Sequence, residues 1–356
     1  MSGHFRPLAY YEWLYDNLER ELEFRARSVA EWLEWRLALK RKLAELLGGF
    51  RYPRRDLSPE VLKAEERDGY LMEKVVYWSD ELTQVPAYVL IPEGLAGRAP
   101  AVVALHGHGR GKDEIVGMGG YQKDFALELV KRGLVVLVPD QCGFGERREE
   151  DDVREGRSSC WKLSTWALMF GETAIGRRVW DAIKGLEYLA SRPDVNGEAI
   201  GFMGISGGGT TALFASALDD RVKAVVVSGY LNTFKDSILS IQHCIDNYVP
   251  GILRYCEMYD VAALVAPRPM LVEHGTRDKI FPVEATRRAV ERVRRAYELL
   301  GVPERLEVDI FEGGHEISGR RAYDFLVKWL SSGYWEGDEL YSKSRATLNE
   351  LLTAPR

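Results

Sequence analysis

A serine with glycine neighbours is the part of the sequence best suited to chemistry: residues 204–208 read Gly-Ile-Ser-Gly-Gly, with the serine at position 206. An apolar run over 199–203 precedes this group, and a stretch of small residues beginning near Thr210 follows it. The pattern predicts a strand that turns sharply into a helix, where glycines are needed because the two elements nearly touch. A serine on such a turn presents its hydroxyl at the strand end, beside the N–H groups of the helix N-terminus. Ser206 is therefore the candidate nucleophile for attack on a carbonyl carbon.

A serine hydroxyl attacks a carbonyl only when a base removes its proton and a third group holds that base in the right tautomer. For a nucleophile on a strand-to-helix turn, the expected chain order is serine, acid, histidine. Asp278 follows the apolar run 270–273, and His315 follows the run 306–311 in a glycine-rich loop. We therefore predict a catalytic triad of Ser206, Asp278 and His315.

Three other carboxylates lie close to these positions in the sequence: Glu273, Asp309 and Glu312. Each is an alternative to Asp278 as the acid of the triad. Glu273 and Asp309 fall within predicted strands, which favours Asp278, since catalytic side chains of such sheets lie beyond the strand ends.

The oxyanion of a tetrahedral intermediate needs two hydrogen-bond donors. One predicted donor is the backbone N–H of Gly207, the residue after the nucleophile. The other is the backbone N–H of His108, in the loop His-Gly-His-Gly that follows the apolar run 101–105. We expect the His106 side chain to anchor this loop. The resulting acyl transfer requires no metal and no organic cofactor.

Two other site chemistries are compatible with parts of the pattern. His106 and His108 are spaced like a metal pair of an amidohydrolase barrel, with His243, His274 and Asp278 as further ligands. That hypothesis leaves the serine turn and the order of acid and histidine without a role. A glycine-rich turn can also bind phosphate, but the chain has no G-K-[ST] and no G-x-G-x-x-G that opens a helix after the first strand.

The elements that must position these residues are predicted by the apolar runs of the middle of the chain. Residues 71–78 and 85–91 indicate a hairpin, and a regular alternation of buried strand and helix follows it. Uninterrupted apolar strands with helical crossovers are typical of a mostly parallel sheet covered on both faces, so we predict an α/β fold. The remaining predicted strands are 101–105, 134–138, 199–204, 224–228, 270–273 and 306–311, with a helix over 121–132.

We divide the chain into an N-terminal helical extension (1–50), a catalytic domain (51–333) and a C-terminal extension (334–356). Residues 8–47 have a helical pattern with Trp and Leu on one face, which predicts packing onto the main domain, contact with a second copy of the chain or a wall of the substrate pocket. Two intervals, 142–178 and 229–266, exceed a simple crossover and are predicted to lie near the site as a lid or pocket wall. Their aromatic residues fit either a pocket wall or the core: Trp161, Trp166, Phe170, Tyr230, Phe234, Tyr248 and Tyr255.

Composition narrows the class of partner. The 356 residues carry a net charge of −6, and no run of Lys or Arg is long enough to follow a nucleic-acid backbone, so nucleic acid is excluded as a partner. No signal-peptide pattern and no long apolar stretch occurs, so we expect a soluble, cytoplasmic protein that does not bind membranes. The four scattered cysteines indicate free thiols, and the scarcity of Asn and Gln suggests heat adaptation.

Taken together, five segments resemble the dienelactone hydrolase and acetyl xylan esterase branch of the α/β-hydrolases over residues 65–332: LHGHG, PDQCGFGER, GISGGG, APRPMLVEHGTRD and FEGGH. The segment 243–251 is also similar to bacterial hydrolases of this branch. Dienelactone hydrolase itself has a cysteine nucleophile where this chain has Ser206, which favours simple esters over lactones. The resemblance thus implies an α/β-hydrolase fold and hydrolysis of small or short-acyl esters.

A serine peptidase of the prolyl oligopeptidase type is similar in its G-x-S-x-G-G turn and is the alternative within this fold. Those enzymes carry a β-propeller of some hundreds of residues. Only about 100 residues precede the LHGHG loop here, and they begin as a predicted helix. An ester is therefore the preferred substrate class.

Overall fold

The computed structural model describes residues 5–353, so the first four residues of the N-terminal extension and the last three of the C-terminal extension lie outside the described residues. Its strands are β1 (Glu60–Arg67), β2 (Tyr70–Trp78), β3 (Gln84–Pro92), β4 (Ala99–Leu105), β5 (Val135–Pro139), β6 (Val195–Ile205), β7 (Val225–Ser228), β8 (Met270–Gly275) and β9 (Leu306–Phe311). Its α-helices are α1 (Leu8–Asn17), α2 (Val29–Leu46), α3 (Phe125–Val130), α4 (Glu150–Arg154), α5 (Cys160–Met169), α6 (Ala174–Ser191), α7 (Gly207–Leu218), α8 (Met258–Ala263), α9 (Val283–Leu299), α10 (Ala322–Ser331), α11 (Glu339–Ser344) and α12 (Leu348–Thr353).

The strands form one open sheet in the order β1-β2-β3-β5-β4-β6-β7-β8-β9. The pairs from β1 to β3, and β3 with β5, are antiparallel, whereas every pair from β5 to β9 is parallel. All eight strands predicted from the sequence are present as β2 to β9, within a few residues of their predicted bounds. The parallel strands therefore end at a common edge, where the loops after β4, β6, β8 and β9 meet.

Each face of the sheet has its own hydrophobic core. Along β4, Val103 and Leu105 point to one core together with residues of α2, α6, α7, α8 and α9, whereas Val102 and Ala104 point to the other, with α3 and α10. Alternation of this kind follows from the two-residue period of a strand. A sheet buried on both sides explains why its strands are continuous apolar runs, and it confirms the predicted α/β architecture.

The prediction of helical structure over 8–47 is wrong for residues 18–28, which separate α1 from α2. The segment 18–28 between α1 and α2 directs its backbone N–H groups to another part of the chain: Glu21 N donates to Arg254 O at 3.1 Å and Leu22 N to Tyr255 O at 2.8 Å. The new helix then begins at Ser28, whose side chain accepts a hydrogen bond from Glu31 N. Tertiary hydrogen bonds thus override a helical pattern in the sequence.

Two other elements differ from prediction. Strand β1 was not predicted, because it is an exposed edge strand of charged residues (EVLKAEER) without apolar alternation. The helix predicted over 121–132 is shorter: residues 121–124 form a turn, and α3 begins only at Phe125. The turn brings Tyr121 to the site described below. Within residues 5–353, no helix combines the length and apolar character needed to cross a membrane.

A buried ion cluster attaches α2 to the body of the fold. Asp220, two residues after the end of α7, accepts hydrogen bonds from Arg36 at 2.5 Å and Lys40 at 2.7 Å, both on α2. Its carboxylate also contacts Arg268 at 2.8 Å and the backbone N–H of Ala346 at 2.7 Å. All four charged side chains are almost completely buried. One carboxylate therefore links the N-terminal helix, the main domain and the C-terminal segment.

We expect Asp220→Asn to lower the free energy of unfolding by about 3–5 kcal/mol, because it leaves buried cations without their compensating charge. Urea unfolding at neutral pH measures this change. The control is Asp324→Asn, since the Asp324 side chain is 83% exposed and its ion pair with Arg132 is long, at 3.4 Å. The control should match the unaltered protein; similar losses in both variants would contradict the role given to the cluster.

Candidate active site

Ser206 lies on the turn between β6 and α7, where its backbone has φ 56° and ψ −123°. A positive φ is strained for a residue that has a side chain. The positions around Ser206 are glycines because there is no space for a side chain. A Cβ on Gly204 would lie 2.2 Å from the carbonyl oxygen of Gly208, and a Cβ on Gly208 would lie 1.9 Å from the carbonyl oxygen of Leu105. The strand, turn and helix thus approach as closely as the sequence pattern predicts.

Hydrogen bonds on both sides hold this strained turn. Ser206 N donates to Ser228 O at the end of β7 at 3.0 Å, and Thr210 N donates to Ser206 O at 2.9 Å as α7 begins. Ser206 is 9% exposed and lines a cavity of about 350 Å³. The turn is therefore held by a hydrogen bond to β7 and by the first turn of α7.

Asp278 and His315, 37 residues apart in the chain, come together after β8 and β9, with His315 Nδ1 2.7 Å from Asp278 Oδ2. The other carboxylate oxygen accepts hydrogen bonds from the backbone N–H groups of Ile280 at 2.8 Å and Phe281 at 3.1 Å. Burial opposes ionisation of Asp278, but the hydrogen bond and positive charge of His315 lower the pKa of this carboxyl. The pair is thus suited to holding a charged imidazole.

Close packing confines the His315 ring. The ring stacks with Tyr121 at a centroid distance of 5.6 Å and with Phe281 at 5.7 Å, at interplanar angles of 22° and 18°. A Cβ on Gly229 would lie 3.1 Å from His315 Cε1, so the backbone also approaches the ring closely. The imidazole is therefore oriented by its neighbours as well as by Asp278.

The three carboxylates considered as alternatives to Asp278 bind other groups. Glu273 is buried and accepts hydrogen bonds from the backbone N–H of Ser318 at 2.9 Å and from Gly319 at 2.8 Å, which fastens the loop that carries His315. Asp309 forms an ion pair with Arg320. Glu312 is exposed and pairs with another surface arginine. Among the residues described, only Asp278 forms a hydrogen bond with His315 Nδ1.

The loop after β4 lies against the first residue of α7. Gly107 N donates to Gln122 Oε1 at 2.7 Å, and the Tyr121 hydroxyl donates to His108 O at 2.8 Å. A Cβ on Gly207 would lie 2.8 Å from His108 Nδ1, so the two residues predicted to supply oxyanion donors are neighbours in space. Hydrogen bonds with Tyr121 and Gln122 thus hold the conformation of this loop.

The His106 side chain faces away from the cavity. It is completely buried, and its Nε2 accepts a hydrogen bond from Gln141 N at 3.1 Å. Burial lowers the pKa of His106, which favours the neutral ring that such an acceptor requires. His106 thus ties the loop after β4 to the segment after β5.

The His108 side chain points to a buried carboxylate. Its Nε2 lies 2.9 Å from Asp246 Oδ2, and Arg178 donates to the same oxygen at 2.6 Å. The buried Nε2 has no well-formed hydrogen bond, so the contact with Asp246 is an ion pair held by charge. Burial opposes a charge on this ring, but the neighbouring Asp246 outweighs it and raises the pKa of His108 to about 9.

One of the two insertions contributes one side of the cavity at Ser206. Residues 241–244 of the interval 229–266 form one side, and α5 of the interval 142–178 packs behind them against residues 245–247. The lining side chains are His108, Tyr121, Ser206, Ile241, Gln242, His243, Cys244, Ile280 and His315. None of the seven aromatic residues considered from the sequence belongs to this lining: Trp161, Trp166 and Phe170 are exposed, and Tyr230 and Phe234 are in the core.

Two larger clefts lie away from these residues. A cleft of about 760 Å³ lies beside Gly48 and Phe170, and one of about 650 Å³ lies beside Arg147 and Trp166. Neither is lined by Ser206, Asp278 or His315. The smaller cavity is therefore the candidate active site.

The structure contradicts the amidohydrolase alternative. The sheet is open rather than a barrel, and three of the proposed ligands are engaged by other groups. His106 is engaged by Gln141, His274 Nε2 faces the carbonyl oxygen of Phe281 at 2.7 Å, and Asp278 is engaged by His315.

Sequence reasoning missed Tyr121, which stacks on His315 and holds the His108 carbonyl. The signal was present in Gly119 and Gly120, which both have positive φ and precede it. Paired glycines are typical of a loop, so they mark residue 121 as part of a turn rather than a helix start.

Comparison with known proteins finds relatives along most of the chain. The family model described as "Abhydrolase family" matches residues 12–326. The Bacillus subtilis (strain 168) protein named "Putative hydrolase YtaP" is 31% identical over 305 residues, which are 82% of this chain and 98% of that protein.

Solved structures share the fold at lower identity. A Bacteroides fragilis protein described as a "putative acetyl xylan esterase" has a TM-score of 0.73 and 20% identity, with 90% of this chain and 89% of that chain covered. A glucuronoyl esterase of carbohydrate esterase family 15 from Caldicellulosiruptor kristjansonii has a TM-score of 0.61 and 18% identity, with 97% and 98% covered. The family match, the sheet order and the serine turn agree with the resemblance noted in the sequence, and the chain belongs to the Abhydrolase family of the α/β-hydrolase superfamily.

Proposed function

We propose that this protein is a serine-dependent carboxylic-ester hydrolase that acts on small or short-acyl esters, with Ser206 as nucleophile, His315 as base and Asp278 as the acid. One observation carries the proposal: His315, paired with Asp278 at 2.7 Å, lines the same cavity as Ser206 on its strained turn. The hydrolase and esterase names of the relatives support the reaction class.

In the first half of the reaction, His315 Nε2 takes the proton of the Ser206 hydroxyl while Oγ bonds to the ester carbonyl carbon, and the π electrons move onto the carbonyl oxygen. Asp278 holds Nδ1–H and stabilises the imidazolium that forms. Collapse of the intermediate breaks the bond to the alkoxy oxygen, which leaves as the alcohol with the proton from His315.

Deacylation repeats these steps with water. His315 takes a proton from the water, whose oxygen attacks the acyl carbon, and Ser206 Oγ then leaves and regains a proton from His315. The products are the carboxylic acid and the free enzyme.

The backbone N–H groups of Gly207 and His108 are the proposed oxyanion donors, because Gly207 follows the nucleophile and the loop of His108 packs against it, with a Cβ on Gly207 at 2.8 Å from His108 Nδ1. Removal of one such donor typically costs about 3–4 kcal/mol of transition-state stabilisation. The positive end of α7 adds to this field at Gly207.

The size of the cavity supports a short acyl group. About 350 Å³ is at the lower end of small-molecule sites, and Ile241 and Ile280 supply apolar walls. A long alkyl chain would have to leave this space and lie exposed on the surface. The proposed substrates are therefore esters of small carboxylic acids.

A series of p-nitrophenyl esters with a constant alcohol part tests the proposed acyl preference. We expect kcat/KM to be highest for acyl groups of about two to six carbons, since longer chains exceed a cavity of this class. Protein treated beforehand with a fluorophosphonate serves as the blank. A preference for acyl groups of about twelve carbons or more would contradict the cavity argument.

A further inference from the structure

At the wall of the cavity, four donor side chains from three parts of the chain lie together. His108 follows β4, Cys160 begins α5, and Cys244 and Asp246 belong to the insertion after β7. One ligand atom from each residue lies within 4.8 Å of the ligand atoms of the other three. Cys160 and Asp246 are buried, and His108 and Cys244 are half-buried. Two thiols, one imidazole and one carboxylate make up a donor set typical of zinc sites.

The His108 ring nitrogen is the second observation that indicates a ligand. Its Nε2 is buried and has no hydrogen-bond partner, although Asp246 Oδ2 is only 2.9 Å away. A buried ring nitrogen that faces a carboxylate without a well-formed hydrogen bond is an uncommon arrangement in folded proteins. A cation between the imidazole and the carboxylate would satisfy both.

The four ligand atoms need to move only slightly to reach the distances of a tetrahedral site. With ordinary bond lengths, a tetrahedral zinc ion requires roughly 3.3 Å between a nitrogen and an oxygen ligand and roughly 3.8 Å between two sulfur ligands. The nitrogen and oxygen atoms would separate slightly, and the other ligand atoms start within 4.8 Å of one another. Rotation of side chains provides shifts of this size.

Arg178 supplies the outer part of such a site. Its guanidinium is buried and contacts Asp246 Oδ2 at 2.6 Å and Cys160 Sγ at 3.2 Å. Hydrogen bonds to ligand atoms orient them for a metal. When both cysteines are thiolates, the two sulfurs and the carboxylate carry three negative charges, and the guanidinium carries one positive charge. A divalent cation neutralises the remaining two negative charges.

We propose that His108, Cys160, Cys244 and Asp246 bind one zinc-class divalent cation, which fastens both insertions to the loop after β4. On binding, the two thiol protons and the proton of the His108 Nε2 pass to solvent, since the ligands must be thiolates and a neutral imidazole. All four ligands come from the protein, as in structural rather than catalytic zinc sites. Cys244 lines the active-site cavity and gives the ion a route from solvent. The ligands are side-chain atoms, whereas His108 takes part in the proposed hydrolysis through its backbone N–H. The metal site therefore does not depend on the proposed hydrolysis.

Cobalt titration of the reduced, metal-free full-length protein tests this site. We expect one Co²⁺ per chain, with visible bands of tetrahedral cobalt and near-ultraviolet thiolate-to-cobalt absorption that Zn²⁺ displaces. Cys160→Ser and Cys244→Ser should each weaken Co²⁺ binding by about 100-fold or more, since even outer residues of metal sites contribute 10–100-fold. Zn²⁺ should also raise the melting temperature of the unaltered protein.

The matched control is Cys142→Ser, because Cys142 is a buried cysteine of the same insertion but is not one of the four ligands. This variant should keep the cobalt spectrum. Fluorophosphonate labelling of each variant reports the serine site separately. Absence of thiolate-to-cobalt absorption in the unaltered protein, or its retention in both Cys160→Ser and Cys244→Ser, would overturn the proposed metal site.

Discussion

Ser206→Ala should abolish both turnover and covalent labelling, with a loss in kcat of about 10⁴-fold or more. Only an activated serine attacks a fluorophosphonate, and only this serine lies on the strained turn that lines the cavity with His315. Intact-mass measurement should show one adduct per chain in the unaltered protein and none in the variant. The residual rate would come from the oxyanion donors and from substrate positioning.

Ser216→Ala is the matched control for this experiment. Ser216 is a buried serine of α7 whose hydroxyl has no hydrogen-bond partner, so its removal should change neither labelling nor rate. Both variants should melt close to the unaltered protein. If Ser206→Ala kept its activity while EDTA removed it, the hydrolysis would depend on a metal and the serine mechanism would fail.

The sequence was sufficient to predict the centre of the sheet because parallel strands covered on both faces are uninterrupted apolar runs. The same argument placed Ser206, Asp278 and His315, since each follows the end of such a run. The common edge of β6, β8 and β9 then brings these loops together. Local pattern and fold topology together thus predict this site.

The parts that could not be predicted depend on contacts between distant segments. The charged strand β1 is held by pairing with β2 rather than by burial, so its sequence carries no strand period. The break between α1 and α2 depends on hydrogen bonds to residues 254–255. Helical propensity alone favours a continuous helix there.

The cluster of His108, Cys160, Cys244 and Asp246 could not be predicted from the sequence for the same reason. Cys160 and Cys244 are 84 positions apart in the numbering and have no C-x-x-C spacing, so the sequence indicated only free thiols. The structure brings them together through the packing of α5 against residues 245–247. Metal-ligand spacing is informative within one loop, but it is lost when ligands come from separate elements.

Asp278→Asn should lower kcat by about 10⁴-fold while leaving the fold intact. The aspartate accepts the Nδ1 proton of His315 and so leaves Nε2 free to take the proton of Ser206. An asparagine at this position would donate its own N–H to Nδ1, which fixes the ring in the opposite tautomer with the proton on Nε2. In that tautomer, the ring has no lone pair to offer the serine.

His315→Ala should cause a loss at least as large, because it removes the base itself. The control for the acid is Glu312→Gln, an exposed carboxylate of the loop beside His315 that pairs only at the surface. The measurements are kcat and kcat/KM on one short-acyl ester, with the rate of fluorophosphonate labelling as a readout independent of product release. Both rates should fall in Asp278→Asn and remain unchanged in Glu312→Gln. If Glu312→Gln lost as much activity as Asp278→Asn, the acid would be misassigned; if Asp278→Asn kept its labelling rate, orientation of His315 by Asp278 would not be the source of serine activation.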